Sequence, residues 1–181
     1  MRRFLATTGF IMMATAAWGQ TPAPDSAVTT GKASAEFINL DGKSIGQAEL
    51  METKGGVVIQ MSVSGIPEGE HAFHIHQTGN CDTASKFESA GAHFTPGDQT
   101  HGYESSRGPH AGDMLNQFVG ADGELQAHII NANVTLLDGA SSLFDADGSA
   151  LVLHADPDDY SSQPSGAAGD RIACAVIKKA E

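Results

Sequence analysis

Residues 56–64 read GVVIQMSVS, Gly56 to Ser64. Ile59, Met61 and Val63 alternate with Gln60, Ser62 and Ser64, the period-2 pattern of a strand with one face on a core and one in water. Working outward, similar short runs recur at Ser34–Asn39, Ile45–Leu50, His71–His76, Gln126–Ile130, Leu151–His154 and Ile172–Lys178, with weaker signals near Asn116–Val119 and Val134–Leu137. Between them stand Asp-Gly pairs at 41–42, 122–123, 138–139 and 147–148. Asp-Gly supplies the positive φ that tight hairpins need. The expected fold is therefore all-β, about eight short antiparallel strands in a sandwich or flattened barrel.

The 181 residues suit one domain, and its start lies downstream of the first residue. Arg2 and Arg3 precede an apolar stretch, Phe4 to Ala17, that is short for a membrane span. Ala17-Trp18-Gly19 offers small residues to a signal peptidase, so residues 1–19 are expected to be a signal peptide. Residues 20–32, QTPAPDSAVTTGK, lack apolar periodicity and read as a flexible leader. The folded domain is expected over 33–181. The chain would be secreted, into the periplasm if bacterial, with no membrane attachment after cleavage. The formal charge of −12 becomes −14 once Arg2 and Arg3 are gone, which argues against nucleic acid or anionic lipid as a partner. The two cysteines, Cys81 and Cys174, both lie in the exported part, where an even count suggests one disulfide.

Two stretches do not read as strands: Thr78–Asp113, rich in Gly, His, Ser and Pro, and Ala155–Asp170. Loops this long inside a small domain usually serve function. Seven of the eight histidines lie in or beside them. Strand parity puts His74 and His76 on one face, side by side, and His71 on the other with Phe73 and Ile75. His71 reads as a hydrogen-bonded core histidine, and His128, apart from the rest, as an ordinary strand residue. His93, His101, His110 and Asp113 offer three imidazoles and a carboxylate from one loop, a donor set suited to tetrahedral zinc. Imidazole surroundings suit copper as well.

Several ordered motifs together resemble the copper–zinc superoxide dismutase family. They are His71-Ala72-Phe73-His74-Ile75-His76 with Gly79-Asn80-Cys81; Gly91-Ala92-His93-Phe94-Thr95-Pro96; His101-Gly102; His110-Ala111-Gly112-Asp113; Leu151-Val152-Leu153-His154 with Asp158-Asp159; and Gly169-Asp170-Arg171-Ile172-Ala173-Cys174. The likeness runs from about Ala33 to Ile177. It implies an eight-stranded Greek-key barrel with two long functional loops and one copper and one zinc ion per subunit. The copper ligands it implies are His74, His76, His93 and His154. The zinc ligands are His93, His101, His110 and Asp113, so that His93 bridges both metals as an imidazolate. Asp158 would link a copper histidine to a zinc histidine, with Asp159 an alternative. Cys81 would pair with Cys174. Arg171 would hold the superoxide anion, and His93 would carry a proton during turnover.

The reaction implied is disproportionation of superoxide to dioxygen and hydrogen peroxide, as antioxidant defence. The rivals are a metal store or chaperone of the same fold, and a sandwich used only for adhesion. Completeness of the constellation favours the enzyme. The loop 155–170 has no Lys, so the charge array credited with steering substrate in eukaryotic members does not carry over. Lys86 and Arg107 are the other cations of the metal loop. A homodimer is compatible with the family, whose bacterial and eukaryotic members pair differently.

Overall fold

The computed structural model describes residues 31–180, so the expected signal peptide and nearly all of the leader lie outside the described residues. Nine strands follow in chain order: β1 (Lys32–Asn39), β2 (Ser44–Thr53), β3 (Gly56–Ser64), β4 (Gly69–His71), β5 (Phe73–His76), β6 (Gln117–Val119), β7 (Glu124–Asn131), β8 (Ala150–His154) and β9 (Arg171–Lys179). Seven form one antiparallel sheet in the order β5-β8-β9-β1-β2-β3-β7, and β4 pairs with β6 in a separate ribbon. The chain crosses from β3 at one side to β5 at the far edge, and from β7 at one edge to β8 beside the other, in Greek-key fashion.

The sheet curls because one face of every strand is apolar. Ala33, Ala35 and Phe37 of β1, Ala48 and Leu50 of β2, and Val57, Ile59, Met61 and Val63 of β3 join one buried cluster. Phe73, Ile75, Leu125, Leu151, Leu153, Ala173, Ala175 and Ile177 complete it from the remaining strands of the sheet. Non-polar surface removed from water on this scale is the main stabilising contribution to such a fold.

β5 and β8 differ from the others in being buried on both faces. A second apolar cluster explains this. Phe87 and Ala90 from the long loop pack on Ala150, Val152 and Cys174, with Ile38 and Cys81 at its border. The loop is thereby mounted on the outside of β8 and β9. The Cys81–Cys174 disulfide, spanning 93 positions, fixes it there. Closing a loop of that size restricts the unfolded chain by ~4–5 kcal/mol in the chain-entropy account.

Three expectations need correction. The run His71–His76 is two strands, because at Ala72 the backbone changes partners. Its amide donates to the Asp156 carbonyl at 3.0 Å and its carbonyl accepts from His154 N at 3.0 Å, while β4 has paired with β6 and β5 goes on to pair with β8. Val134–Leu137 is no strand. Leu136 N donates to Glu52 Oε2 at 2.6 Å and Thr135 N to the Ser141 carbonyl at 2.9 Å, so this backbone is bent over the barrel end while Val134 and Leu136 plug it. Lys32, expected as the last leader residue, already opens β1 opposite Met51. No helix among the described residues is long and apolar enough to cross a membrane.

Candidate metal centre

His74 and His76 share the outward face of β5, as parity requires, yet both are fully buried because the two long loops close over them. His154 ends β8, the strand paired with β5. His93 reaches the same place from the first loop, through an isolated bridge to His76, and Asp113 through one to His74. One nitrogen from each of His74, His76, His93 and His154 lies within 4.8 Å of the others. His76 Nε2 and His154 Nε2 are 3.3 Å apart.

The second grouping centres on one carboxylate oxygen. Asp113 Oδ1 lies 2.8 Å from His93 Nδ1, 3.1 Å from His101 Nδ1 and 3.4 Å from His110 Nδ1. Donor atoms ~2.0–2.1 Å from a tetrahedral zinc would stand about 3.3 Å from one another. Asp113 Oδ2 is held by the backbone amides of Gly102 at 2.8 Å and His110 at 3.0 Å. His74 also has a nitrogen within 4.8 Å of the donor atoms of His93, His101 and Asp113, a set that does not include His110. Its Nε2, however, is committed to Asp158 Oδ2 at 2.8 Å, which leaves Nδ1 to face the other set.

Buried polar atoms without partners are costly, and here they are informative. His74 Nδ1, His93 Nε2, His101 Nδ1 and His110 Nδ1 are all buried and make no hydrogen bond. The opposite ring atoms are mostly engaged. His74 Nε2 pairs with Asp158 Oδ2 at 2.8 Å, His76 Nδ1 donates to the Gly91 carbonyl at 2.9 Å, and His101 Nε2 to Asp158 Oδ1 at 2.9 Å. Such outer contacts set the tautomer that leaves the other nitrogen free for a metal. The donor atoms thus form two neighbouring groups, each of which could hold a metal ion, with His110 at the edge of the second.

Electrostatics agree with the donor set. Burial, and then the neighbouring histidines, push His154 down to about 2 and His76 well below the ordinary imidazole value. Burial likewise lowers His93 to about 4, against the pull of Asp113. These rings are neutral at neutral pH, as metal ligands must be. His101 is the opposite case. Burial would lower it, but the Asp113 and Asp158 carboxylates, one beside each ring nitrogen, outweigh that and raise it to about 9. Asp113 and Asp158 are held well below the carboxylate range, because the same imidazole contacts outweigh burial.

The alternatives for the linking carboxylate separate clearly. Asp158 is buried and joins His74 to His101. Asp159 is exposed and accepts only from the Ser161 and Ser162 amides beside it. Arg171, opposite His154 in the β8–β9 register, donates from Nη1 to the Phe87 carbonyl at 2.7 Å and from Nη2 to the Gly91 carbonyl at 2.8 Å. Gly91 O thus serves both Arg171 and His76. Glu88 Oε2 stands 3.3 Å from Arg171 Nη2. His71 is buried, its ring nitrogens 2.8 and 2.9 Å from the carbonyl oxygens of His154 and Pro67, a core role as expected. His128 stays exposed on β7, away from both groups, and Lys86 and Arg107 are exposed.

Sequence reasoning did not find the outer layer. Asn116 clasps Asp158, donating from Nδ2 to its carbonyl at 3.0 Å and accepting its amide on Oδ1 at 2.8 Å. Gln163 does the same for the backbone of His101, at 2.8 and 3.0 Å. Both contacts join residues far apart in sequence, and no local pattern announces them.

A profile of the family described as copper/zinc superoxide dismutase (SODC) matches residues 44–177. The chain belongs to the copper/zinc superoxide dismutase family. Superoxide dismutase [Cu-Zn] 2 of Aquifex aeolicus is 48% identical over 149 residues, covering 81% of this chain and 86% of that one. Superoxide dismutase [Cu-Zn] of Caulobacter vibrioides is 43% identical over 141 residues, covering 76% and 80%. The crystal structure of a SOD-like protein from Bacillus subtilis superposes with a TM-score of 0.77 at 33% identity, over 83% of this chain and all of that one. With membership come the reaction, disproportionation of superoxide by an oxidoreductase, and the two cofactors, copper and zinc.

Proposed function

We propose that this chain removes superoxide in an extracytoplasmic compartment, the bacterial periplasm, after loss of residues 1–19, and that residues 33–181 form the catalytic domain. Copper would be held by His74 Nδ1, His76 Nε2, His93 Nε2 and His154 Nε2. Zinc would be held by His93 Nδ1, His101 Nδ1, His110 Nδ1 and Asp113 Oδ1. The observation that carries this assignment is the set of buried ring nitrogens without partners, in two groups that have His74 and His93 in common; Asp158 takes His74 Nε2, which leaves His93 as the ring with one nitrogen for each group. When bound, copper supplies one-electron redox chemistry and zinc a fixed positive charge.

The chain's own groups do the rest. Arg171, fixed through two carbonyls, presents its remaining N–H bonds to an anion beside His154 and His76. His93 Nε2 would be the atom at which a proton is held between the two half-reactions. Two superoxide ions and two protons become one dioxygen and one hydrogen peroxide. Asp158 fixes His74 and His101 relative to each other, so movement at one metal site is resisted by the other. Two copies are proposed to associate as a homodimer.

The test is metal analysis of the exported protein together with cyanide-sensitive superoxide consumption. One copper and one zinc per chain with rapid consumption is expected. A protein that holds both metals and consumes no superoxide would be a metal-binding relative instead. Mass spectrometry of the exported chain should find a new N-terminus near Gln20. An intact Met1 end would refute cleavage.

A further inference from the structure

Arg171 is held by the two ends of one short turn. Residues Glu88–Ala90 form a single turn of 3-10 helix, with Phe87 before it and Gly91 after it. The Phe87 carbonyl accepts Arg171 Nη1 at 2.7 Å and the Gly91 carbonyl accepts Nη2 at 2.8 Å. The turn is closed by Ala90 N on the Phe87 carbonyl and Gly91 N on the Glu88 carbonyl, each at 3.0 Å. It is fixed to the barrel, because Phe87 and Ala90 are fully buried against Ala150, Val152 and Cys174. Glu88 is the charged member of this turn, and its Oε2 stands 3.3 Å from Arg171 Nη2 on a side chain 71% exposed. One turn thus supplies both the cradle of the guanidinium and a negative charge beside it. Two neutral carbonyls already fix the guanidinium, so the charge is additional to the anchoring.

We propose that Glu88 is a charge filter at the anion site, lowering the affinity of Arg171 for divalent oxyanions such as hydrogen phosphate more than for monovalent superoxide. The inference rests on the proposal above that Arg171 receives the anion. Coulomb energy scales with the product of the charges, so a site built from cations alone favours the anion with more charge. The planar fork of an arginine suits phosphate in particular. A carboxylate at the rim acts in the opposite sense, and it too acts in proportion to the charge of the anion. For an anion ~6 Å away in near-water dielectric, the Glu88 charge weakens binding of a monoanion about threefold and of a dianion by the square of that, about tenfold. In ~0.15 M salt the two factors shrink to less than ~twofold and roughly threefold. The excess of 22 acidic over 10 basic residues also repels dianions, but from distances at which salt screens it. Glu88 lies within the screening length and acts at the site itself. Superoxide capture loses a small factor, and competing dianions lose a larger one.

The test compares hydrogen phosphate, a dianion at mildly alkaline pH, with dimethyl phosphate, a monoanion built on the same tetrahedral phosphorus. Binding of each to the metal-loaded, disulfide-bonded protein is read by phosphorus NMR at low, constant ionic strength, and inhibition of superoxide decay by phosphate is measured alongside. Glu88→Gln should tighten hydrogen phosphate about tenfold and dimethyl phosphate about threefold, and the inhibition constant of phosphate should fall about tenfold. Glu124→Gln removes the same charge from β7, at the opposite edge of the sheet from β5, and should leave the ratio of the two affinities unchanged. Arg171→Gln should weaken both anions. If Arg171→Gln leaves both bound as before, Arg171 is not the anion site, and that reading fails together with the filter. If Arg171→Gln weakens both anions but Glu88→Gln changes the two affinities by one common factor, or changes neither, the filter alone is overturned.

Discussion

Glu88 places a carboxylate 3.3 Å from the guanidinium proposed to receive an anion, and its side chain is 71% exposed. It should therefore slow the enzyme. An anion bound on the open side of Arg171 would lie ~6 Å from the Glu88 charge, and at the dielectric of water this costs about 0.7 kcal/mol, or roughly threefold in capture. Near-water dielectric is the right choice for so exposed a group. At ~0.15 M salt the screening length of about 8 Å cuts the repulsion roughly in half, leaving less than twofold. Glu88→Gln should thus raise the rate at low superoxide by about threefold in dilute buffer, and the gain should shrink as salt is added. Arg171 should hold its position in the variant, because its anchors are the Phe87 and Gly91 carbonyls. The assay is superoxide decay after pulse radiolysis, far below saturation, on protein with equal copper and zinc. An unchanged or slower Glu88→Gln enzyme in dilute buffer would refute the reasoning. Arg171→Glu should nearly abolish activity while copper stays bound, and the wild-type rate should fall as ionic strength rises, since local attraction exceeds the repulsion of a −14 chain at close range.

His93→Ala should weaken both metals and change the copper spectrum, whereas His101→Ala should lose mainly zinc; full retention of both metals by His93→Ala, with an unchanged spectrum, would show that they share no ligand. Gly166 has φ +70, and a Cβ built on it would press on Asp158 Oδ1 and His101 Nε2, so Gly166→Ala should lower zinc affinity, on the order of tenfold as for lost outer contacts; titration against a chelator reads this, and unaltered affinity would sink it. For the metal-free, disulfide-bonded protein, stability should fall on acidification below pH 6.5. The unfolded chain takes up protons there that folded His93, at about 4, and His154, at about 2, refuse, each contributing up to ~1.4 kcal/mol per pH unit. Folded His101, raised to about 9, acts oppositely: its contribution is complete below 6.5 and is lost as pH rises towards 9. A urea midpoint that rises between pH 7 and 5 would contradict these directions.

The inner layer of the centre was legible in the sequence because each part obeys a local rule. Strand parity puts His74 and His76 together whatever the rest of the chain does. A loop too long and polar to be idle holds His93, His101, His110 and Asp113, the donors proposed for zinc. Strand positions followed from alternation wherever one face is buried and the other wet, as in β3. The rule fails where burial comes from elsewhere. Val134 and Leu136 are apolar because they plug the barrel end, and their backbone is taken by Glu52 and Ser141. His71 to His76 looks continuous in sequence, and only the contact of Ala72 with Asp156 and His154 reveals the change of partner.

The same distinction explains why the outer layer was invisible. Asn116 has no pattern to signal that it holds Asp158 at both ends of the residue, because that contact exists only after the second loop has folded over the first. A row of apolar side chains across the outer face of β2, β3 and β7, Met51, Val58 and Ile130, is subtler. Met51, Val58 and Ile130 each look like an ordinary hydrophobic residue in its own strand, and an isolated one on a surface needs no explanation. Their meaning lies in register: Met51 opposite Val58 and Val58 opposite Ile130 make three unrelated exceptions into one surface. Because a slip of one residue would turn the whole row inward, its outward position is fixed by the same core alternation that builds the barrel. The core therefore determines where the apolar row emerges, and the same register sets Lys32 of β1 opposite Met51 at its end.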